Sequence, residues 1–106
     1  MIDKQVLDAL SVFGDVEQQI NSAVEEYLMR RIIERIKLAR EHLIEFERQY
    51  RMAFADFSTQ IVLDESFSRT VREQHPTWEQ DLLAWEYWDK ESAEWKNRLD
   101  TILSKS

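Results

Sequence analysis

Apolar residues recur at spacings of three and four along two long stretches of the chain, which is the period of an α-helix. One stretch covers residues 15–50 and the other covers residues 77–103. The chain has one Gly and one Pro, so few positions favour a tight turn or the end of a helix. The pattern predicts an all-α fold, with a long central helix, shorter helices and a second long helix that contains every Trp.

The central helix over residues 15–50 would be about 50 Å long, more than a compact domain of this size needs. Its C-terminal half holds a continuous apolar seam with alternating steps of three and four residues, as in coiled coils. Its N-terminal half follows a different phase, so the buried face rotates near Leu28 and two neighbours are expected. The seam residues predicted to mediate self-association are Ile32, Ile36, Leu43, Phe46 and Tyr50.

The remaining segments complete a single helical domain over residues 1–106. Asp3 is a candidate N-cap for a short helix over residues 3–13, which Gly14 would end. Residues 52–61 predict a second short helix, and residues 62–76, rich in Ser and closed by Pro, predict a linker. This arrangement is typical of a helical bundle or a coiled-coil-like oligomer.

All four Trp residues lie on one face of the predicted C-terminal helix, and the opposite face is mostly acidic. A large aromatic stripe must be covered by the rest of the chain, by a second copy of it or by a different protein. Trp and Tyr are enriched at interface hot spots, and carboxylates complement a basic partner. The candidate partner-binding residues are Trp78, Asp81, Trp85, Glu86, Tyr87, Trp88 and Asp89.

The formal net charge of the chain is -7, which disfavours nucleic acid as a partner and favours a basic protein. A local cationic stretch is the exception, and it supplies the candidate nucleic-acid patch: Arg30, Arg31 and Arg35. We favour its interpretation as a solvated helix face that pairs with acidic neighbours.

The sequence lacks the residue patterns of the common catalytic and metal sites. There is no Cys, and the two His residues, His42 and His75, are far apart and do not form the paired Glu-x-x-His motif of a helical di-metal site. No hydrolytic triad can be assembled from the Ser and Thr residues. We expect no enzyme activity, no cofactor and no metal. With no signal-like start and no membrane-spanning apolar run, we expect a cytoplasmic protein.

Residues 17–28 resemble the second helix of ribbon-helix-helix repressors, and residues 10–14 resemble the end of their first helix. In that family the DNA-reading strand precedes the first helix, where this chain has only Met1 and Ile2. The resemblance therefore implies a dimerising helix pair without its reading strand.

A second resemblance covers about half of the chain and rests on four short motifs. They are Phe-Glu-Arg-Gln-Tyr at 46–50, Met-Ala-Phe-Ala-Asp-Phe at 52–57, Thr-Trp-Glu at 77–79 and Asp-Leu-Leu-Ala-Trp-Glu at 81–86. Their order resembles that in a family of small prokaryotic antitoxin-like helical proteins, the partners of a neighbouring toxin. The chain departs from the pattern at Arg51, where that family usually has Gly.

This resemblance implies a non-catalytic protein that neutralises a small basic toxin, often a ribonuclease, by covering its active surface. Two alternatives remain open at this point. In the first, the chain is a structural homo-oligomer whose symmetry mates cover the Trp stripe. In the second, it is a DNA-binding repressor that acts through its N-terminal half.

Overall fold

The computed structural model describes residues 16–104 and shows four α-helices and no β-strand among them. The helices are α1 (Val16–Tyr50), α2 (Phe54–Leu63), α3 (Glu65–Gln74) and α4 (Trp78–Ser104). The predicted all-α class, with one long central helix and a Trp-rich C-terminal helix, is confirmed. The short helix predicted over residues 3–13 lies outside the described residues.

The two long helices form an antiparallel pair. The end of α1 meets the beginning of α4, where the Tyr50 hydroxyl donates a hydrogen bond to Asp81. Towards the other end of the pair, Leu28 of α1 and Ile102 of α4 line the same groove. Small side chains occupy the middle of this contact, where Ala39 and Ser92 are both buried. Short side chains at such positions allow two helices to approach closely.

The core is concentrated at the end of the pair where α1 finishes and α4 begins. Its fully packed members come from all four helices: Tyr50, Phe57, Val71 and Trp85. The short helices α2 and α3 fold back over this end of the pair, so Phe57 and Val71 reach the same cluster as the two long helices. The fold therefore buries its largest aromatic side chains at one end.

The structure differs from the predicted linker over residues 62–76, most of which form α3. Asp64 ends α2 and begins α3 at once, because its backbone N–H donates to the Gln60 carbonyl (2.9 Å) and its carboxylate accepts from the Phe67 N–H (3.0 Å). An Asp N-cap of this kind satisfies a backbone donor that a helix start would otherwise leave unpaired. Asp64 alone therefore connects α2 to α3, where a longer linker was predicted.

The turn after α1 depends on a backbone conformation that is unusual for a residue with a side chain. Arg51 has a φ of 59°, in the left-handed region. Helices often end with one residue in this conformation, usually Gly, because a Cβ atom there crowds the following carbonyl. The sharp break between α1 and α2 therefore occurs at the position where the antitoxin-like family usually has Gly.

The N-terminal part of α1 extends beyond α4. Since Leu28 lies level with Ile102 and α4 ends at Ser104, residues 16–26 of α1 project past the end of their antiparallel neighbour. At 1.5 Å per residue this projection is about 16 Å long. We refer to residues 16–26 as the overhang.

Replacing Arg51 by Gly is expected to stabilise the protein by about 0.5 to 1 kcal/mol, because Gly adopts the left-handed conformation without a Cβ clash. The free energy of unfolding, measured by urea denaturation, checks this. Arg48→Gly is the matched control, since the same change three residues earlier lies inside α1 and should destabilise by about 1 kcal/mol. Equal losses in the two variants would contradict this account of the turn.

Candidate functional site

The face of α4 that carries the Trp residues is turned towards α1 and the short helices. Trp85 is fully buried and lies among rings from α1 and α2. Its ring centroid is 5.7 Å from Phe46, 5.5 Å from Tyr50, 5.3 Å from Phe57 and 5.7 Å from Phe54. Its indole N–H is also the one buried side-chain polar atom without a partner in the described part of the chain. Trp85 is thus a core residue, out of reach of any surface partner.

The other three tryptophans are partly buried and also have neighbours in the chain. Trp88 stacks on His42, with ring centroids 4.0 Å apart and planes 6° from parallel. Trp95 donates its indole N–H to Glu91 at 2.7 Å and lies under the Arg98 guanidinium, 4.3 Å from the ring centroid. Trp78 packs against the core cluster. The chain itself covers much of the aromatic stripe.

Asp81 is turned inward and joins the two long helices. Its carboxylate accepts hydrogen bonds from the Tyr50 hydroxyl (2.5 Å) and from the Gln49 amide (3.2 Å). Burial of the phenol, together with the adjacent carboxylate, raises the pKa of Tyr50 far above its ordinary value of 10. A hydrogen bond to a charged acceptor is among the stronger ones in proteins, so this contact stabilises the helix pair.

Most of the exposed surface of α4 faces away from α1, and Tyr87 lies at the edge of this surface, beside Arg35 of α1. We call this surface the outer face of α4, and its residues are Glu79, Leu83, Glu86, Tyr87, Lys90 and Glu94. Two apolar side chains lie one helical turn apart on this face, Leu83 at 69% exposure and Tyr87 at 55%. Around them, Glu86 and Lys90 form an exposed ion pair at 2.9 Å. Asp89, a further predicted partner residue, is also exposed.

Tyr87 is oriented by its neighbours along α4. A hydrogen bond to Glu91 and the charge of that carboxylate raise the pKa of the Tyr87 hydroxyl. Its ring meets Trp88 edge to face, with centroids 5.0 Å apart. A large side chain that is already oriented loses less conformational freedom when a partner covers it. Tyr87 is therefore the best-placed anchor among the predicted partner residues.

The predicted partner-binding set thus divides in two. Trp85 and Asp81 belong to the interior contact, whereas Tyr87 and Asp89 are open to a partner and Trp78, Glu86 and Trp88 are intermediate. Sequence reasoning missed Leu83. Its position four residues before Tyr87 and off the tryptophan seam was the available signal.

The predicted self-association residues lie on the side of α1 that meets the rest of the chain. Ile32 and Tyr50 are buried, and Leu43 and Phe46 pack against the core cluster. Ile36 is intermediate in exposure. Self-association through these residues stays a prediction, and the structure already gives most of them a partner within the chain.

The candidate nucleic-acid patch forms ion pairs along α1. Arg30 pairs with Glu26 at 3.4 Å and Arg31 pairs with Glu34 at 3.1 Å. Arg35 lies beside Tyr87 and Glu91 of α4, along a cleft of about 240 Å³ between the helices. Two of the three arginines thus have acidic neighbours one helical turn away, which lowers the net positive charge of the patch.

Residues 16–104 contain no group of His, Asp or Glu side chains arranged to hold a metal ion. His42 stacks on Trp88, and the His75 ring lies 4.6 Å from that of Tyr50. Over the same residues, no helix combines the length and the apolarity that a membrane span requires.

Comparison with models of protein families, with curated proteins and with solved structures finds no match to this chain.

Replacing Tyr50 by Phe is expected to destabilise the protein by about 1 to 2 kcal/mol at neutral pH, since the hydrogen bond to a carboxylate is lost. Because the pKa of Tyr50 is raised on folding, its contribution to stability is complete below pH 10 and is lost as the pH rises above 10. The difference between the wild type and Tyr50→Phe should therefore shrink above pH 10. Urea unfolding at a series of pH values measures it.

Tyr27→Phe is the matched control, because the Tyr27 side chain is 58% exposed. It should change the free energy of unfolding by less than about 0.5 kcal/mol. If the stability difference for Tyr50→Phe stayed constant from neutral to alkaline pH, the hydrogen bond to Asp81 would not be the source of that stability.

Proposed function

We propose that this protein is a non-catalytic binding protein for a basic protein partner, which it contacts through the outer face of α4. The observation that carries the proposal is the exposed pair formed by Leu83 and Tyr87 on an acidic helix. Two large apolar side chains one turn apart, within a polar surround, have the composition of a small interface centre.

The charge of α4 indicates the sign of the partner. The helix carries seven Asp or Glu residues against three Lys or Arg residues. Two of those cations are held by acidic neighbours, Lys90 by Glu86 and Arg98 by Glu94. A helix surface with this excess of carboxylates attracts a positively charged protein and increases the rate of encounter.

The resemblance to antitoxin-like proteins supplies the class of partner, a small toxin with a basic active surface, such as a ribonuclease. Binding of the outer face of α4 over that surface would exclude its anionic substrate without catalysis by this chain. We place this interaction in the cytoplasm, in keeping with a chain that has no Cys.

The alternative functions have less support from the geometry. The Trp stripe does not require symmetry mates to cover it, because Trp78 and Trp85 belong to the core packing and Trp88 stacks on His42 of α1, while Trp95 pairs with Glu91 and Arg98. A DNA-binding role for the α1 patch would have to act against the formal net charge of -7 of the chain.

The test begins with tagged full-length protein purified from its source cells, and with the basic protein that copurifies in stoichiometric amounts. That protein is then produced alone, and its affinity for the wild type and for variants is measured by calorimetry. The double variant Leu83→Ala/Tyr87→Ala should bind at least about 30-fold more weakly, as expected when hot-spot side chains are truncated. The double variant Glu79→Lys/Glu86→Lys should also bind more weakly than the wild type, and the loss of affinity should be larger at low salt than at high salt.

Val62→Ala/Leu63→Ala is the matched control, because these neighbouring apolar side chains of α2 are 79% and 78% exposed and lie off α4. Its affinity should equal that of the wild type, and circular dichroism should show unchanged helicity in all variants. The proposal is wrong if no basic protein copurifies, or if the Leu83/Tyr87 variant binds as tightly as the control.

A further inference from the structure

The overhang of α1 and the adjoining groove form one continuous surface. This surface is separate from the outer face of α4. The groove has a volume of about 590 Å³ and lies between the long helices at the end opposite the core. Apolar side chains line its floor: Tyr27, Leu28, Ile32, Trp95 and Ile102. We propose that this surface is the interface with a second copy of this chain, in a symmetric antiparallel dimer.

The overhang presents one apolar face that leads into the groove. Glu17, Ile20, Val24, Tyr27 and Arg31 follow steps of three and four residues, so they share one side of α1. Val24 is 51% exposed and Tyr27 is 58% exposed. An α-helix rotates by 100° per residue, so this face lies about a quarter of a turn round α1 from the side that meets α4.

Charge complementarity points to a second copy as the occupant. Residues 17–26 of the overhang contain three Glu residues and no Lys or Arg. The groove is bordered by two cations, Arg31 and Arg98, and by no acidic side chain. Each molecule therefore offers an acidic apolar helix segment together with a cationic apolar groove, and the two surfaces fit each other.

A two-fold axis beside Val24 satisfies both surfaces at once. In an antiparallel pairing of two α1 helices about this point, Val24 lies opposite Val24 of the second copy and Ile20 lies opposite its Leu28. The same register places Glu17 opposite Arg31 of the second copy, and symmetry repeats the pair on the other side. Such an isologous interface closes on itself and yields a dimer without further growth.

Arg31 and Arg98 are available for this role although each has a neighbour in the chain. Their partners, Glu34 and Glu94, are surface carboxylates within the same helix, and the side chains of the two arginines remain 54% and 51% exposed. Exposed pairs of this kind contribute little to stability, so exchange of partners on dimerisation is inexpensive. The dimer leaves the outer face of α4 free, and this inference does not depend on the proposed function.

Sedimentation velocity on the full-length protein, at increasing concentration, tests the stoichiometry. We expect a species of twice the monomer mass. A monomer at every concentration would overturn the proposal. A monomer is also the result expected if residues 1–15 of the same chain cover the groove.

A single introduced Cys tests the register, because the chain has none of its own. Val24→Cys should form an intermolecular disulfide rapidly under mild oxidation, since a residue beside a two-fold axis faces its own copy within disulfide reach. Val62→Cys is the control, being 79% exposed on α2 and distant from the proposed axis. A dimer in which both variants cross-link at the same slow rate would have a different interface and would contradict the proposal.

A charge exchange tests the polar contact. Glu17→Arg and Arg31→Glu should each weaken the dimer about ten-fold, because two symmetric pairs are lost and like charges face each other. The double variant Glu17→Arg/Arg31→Glu restores opposite charges across the axis and should recover most of the affinity. If the double variant were weaker than both single variants, these residues would not face each other.

Discussion

Three of the four helices meet on the buried indole of Trp85. The ring lies against Phe46 and Tyr50 of α1 and against Phe54 and Phe57 of α2, while its own backbone belongs to α4. Removing a buried Trp side chain typically destabilises a protein by about 3 to 5 kcal/mol, a large part of the usual stability of a small domain. Phe57 of α2 and Val71 of α3 are buried in the same cluster, so the position of both short helices depends on it.

The same packing decides which chemistry stays available to a partner. Burial of Trp85 and the inward turn of Asp81 place the tryptophan side of α4 against the chain. The acidic side is left in solvent together with two apolar residues, Leu83 and Tyr87. A helix whose aromatic residues are used in folding and whose carboxylates are not is suited to electrostatic attraction followed by a small apolar contact. Structure and proposed function therefore use opposite sides of one helix.

Periodicity and the scarcity of Gly and Pro were enough to predict the long helices, since both signals are local. The helix α3 was missed because Asp64 ends one helix and caps the next, with no Gly or Pro to mark the junction. The burial of Trp85 could not be predicted from the sequence either, because it depends on α2 folding back across the turn at Arg51. Whether an aromatic face is core or interface is decided by such distant contacts, and the face itself looks the same in both cases.

The core lies at one end of α1, so the local stability of this unbroken helix differs between its two ends. Near Tyr50 its backbone hydrogen bonds can open only when the aromatic cluster comes apart, whereas the overhang lies beyond the end of α4 and away from that cluster. Amide hydrogen exchange along α1 would therefore rise from the cluster towards residue 17 as a gradient, with fraying at one end and global unfolding at the other. A single continuous helix thus acts as a fixed element at its C-terminal end and as an adaptable one at its N-terminal end.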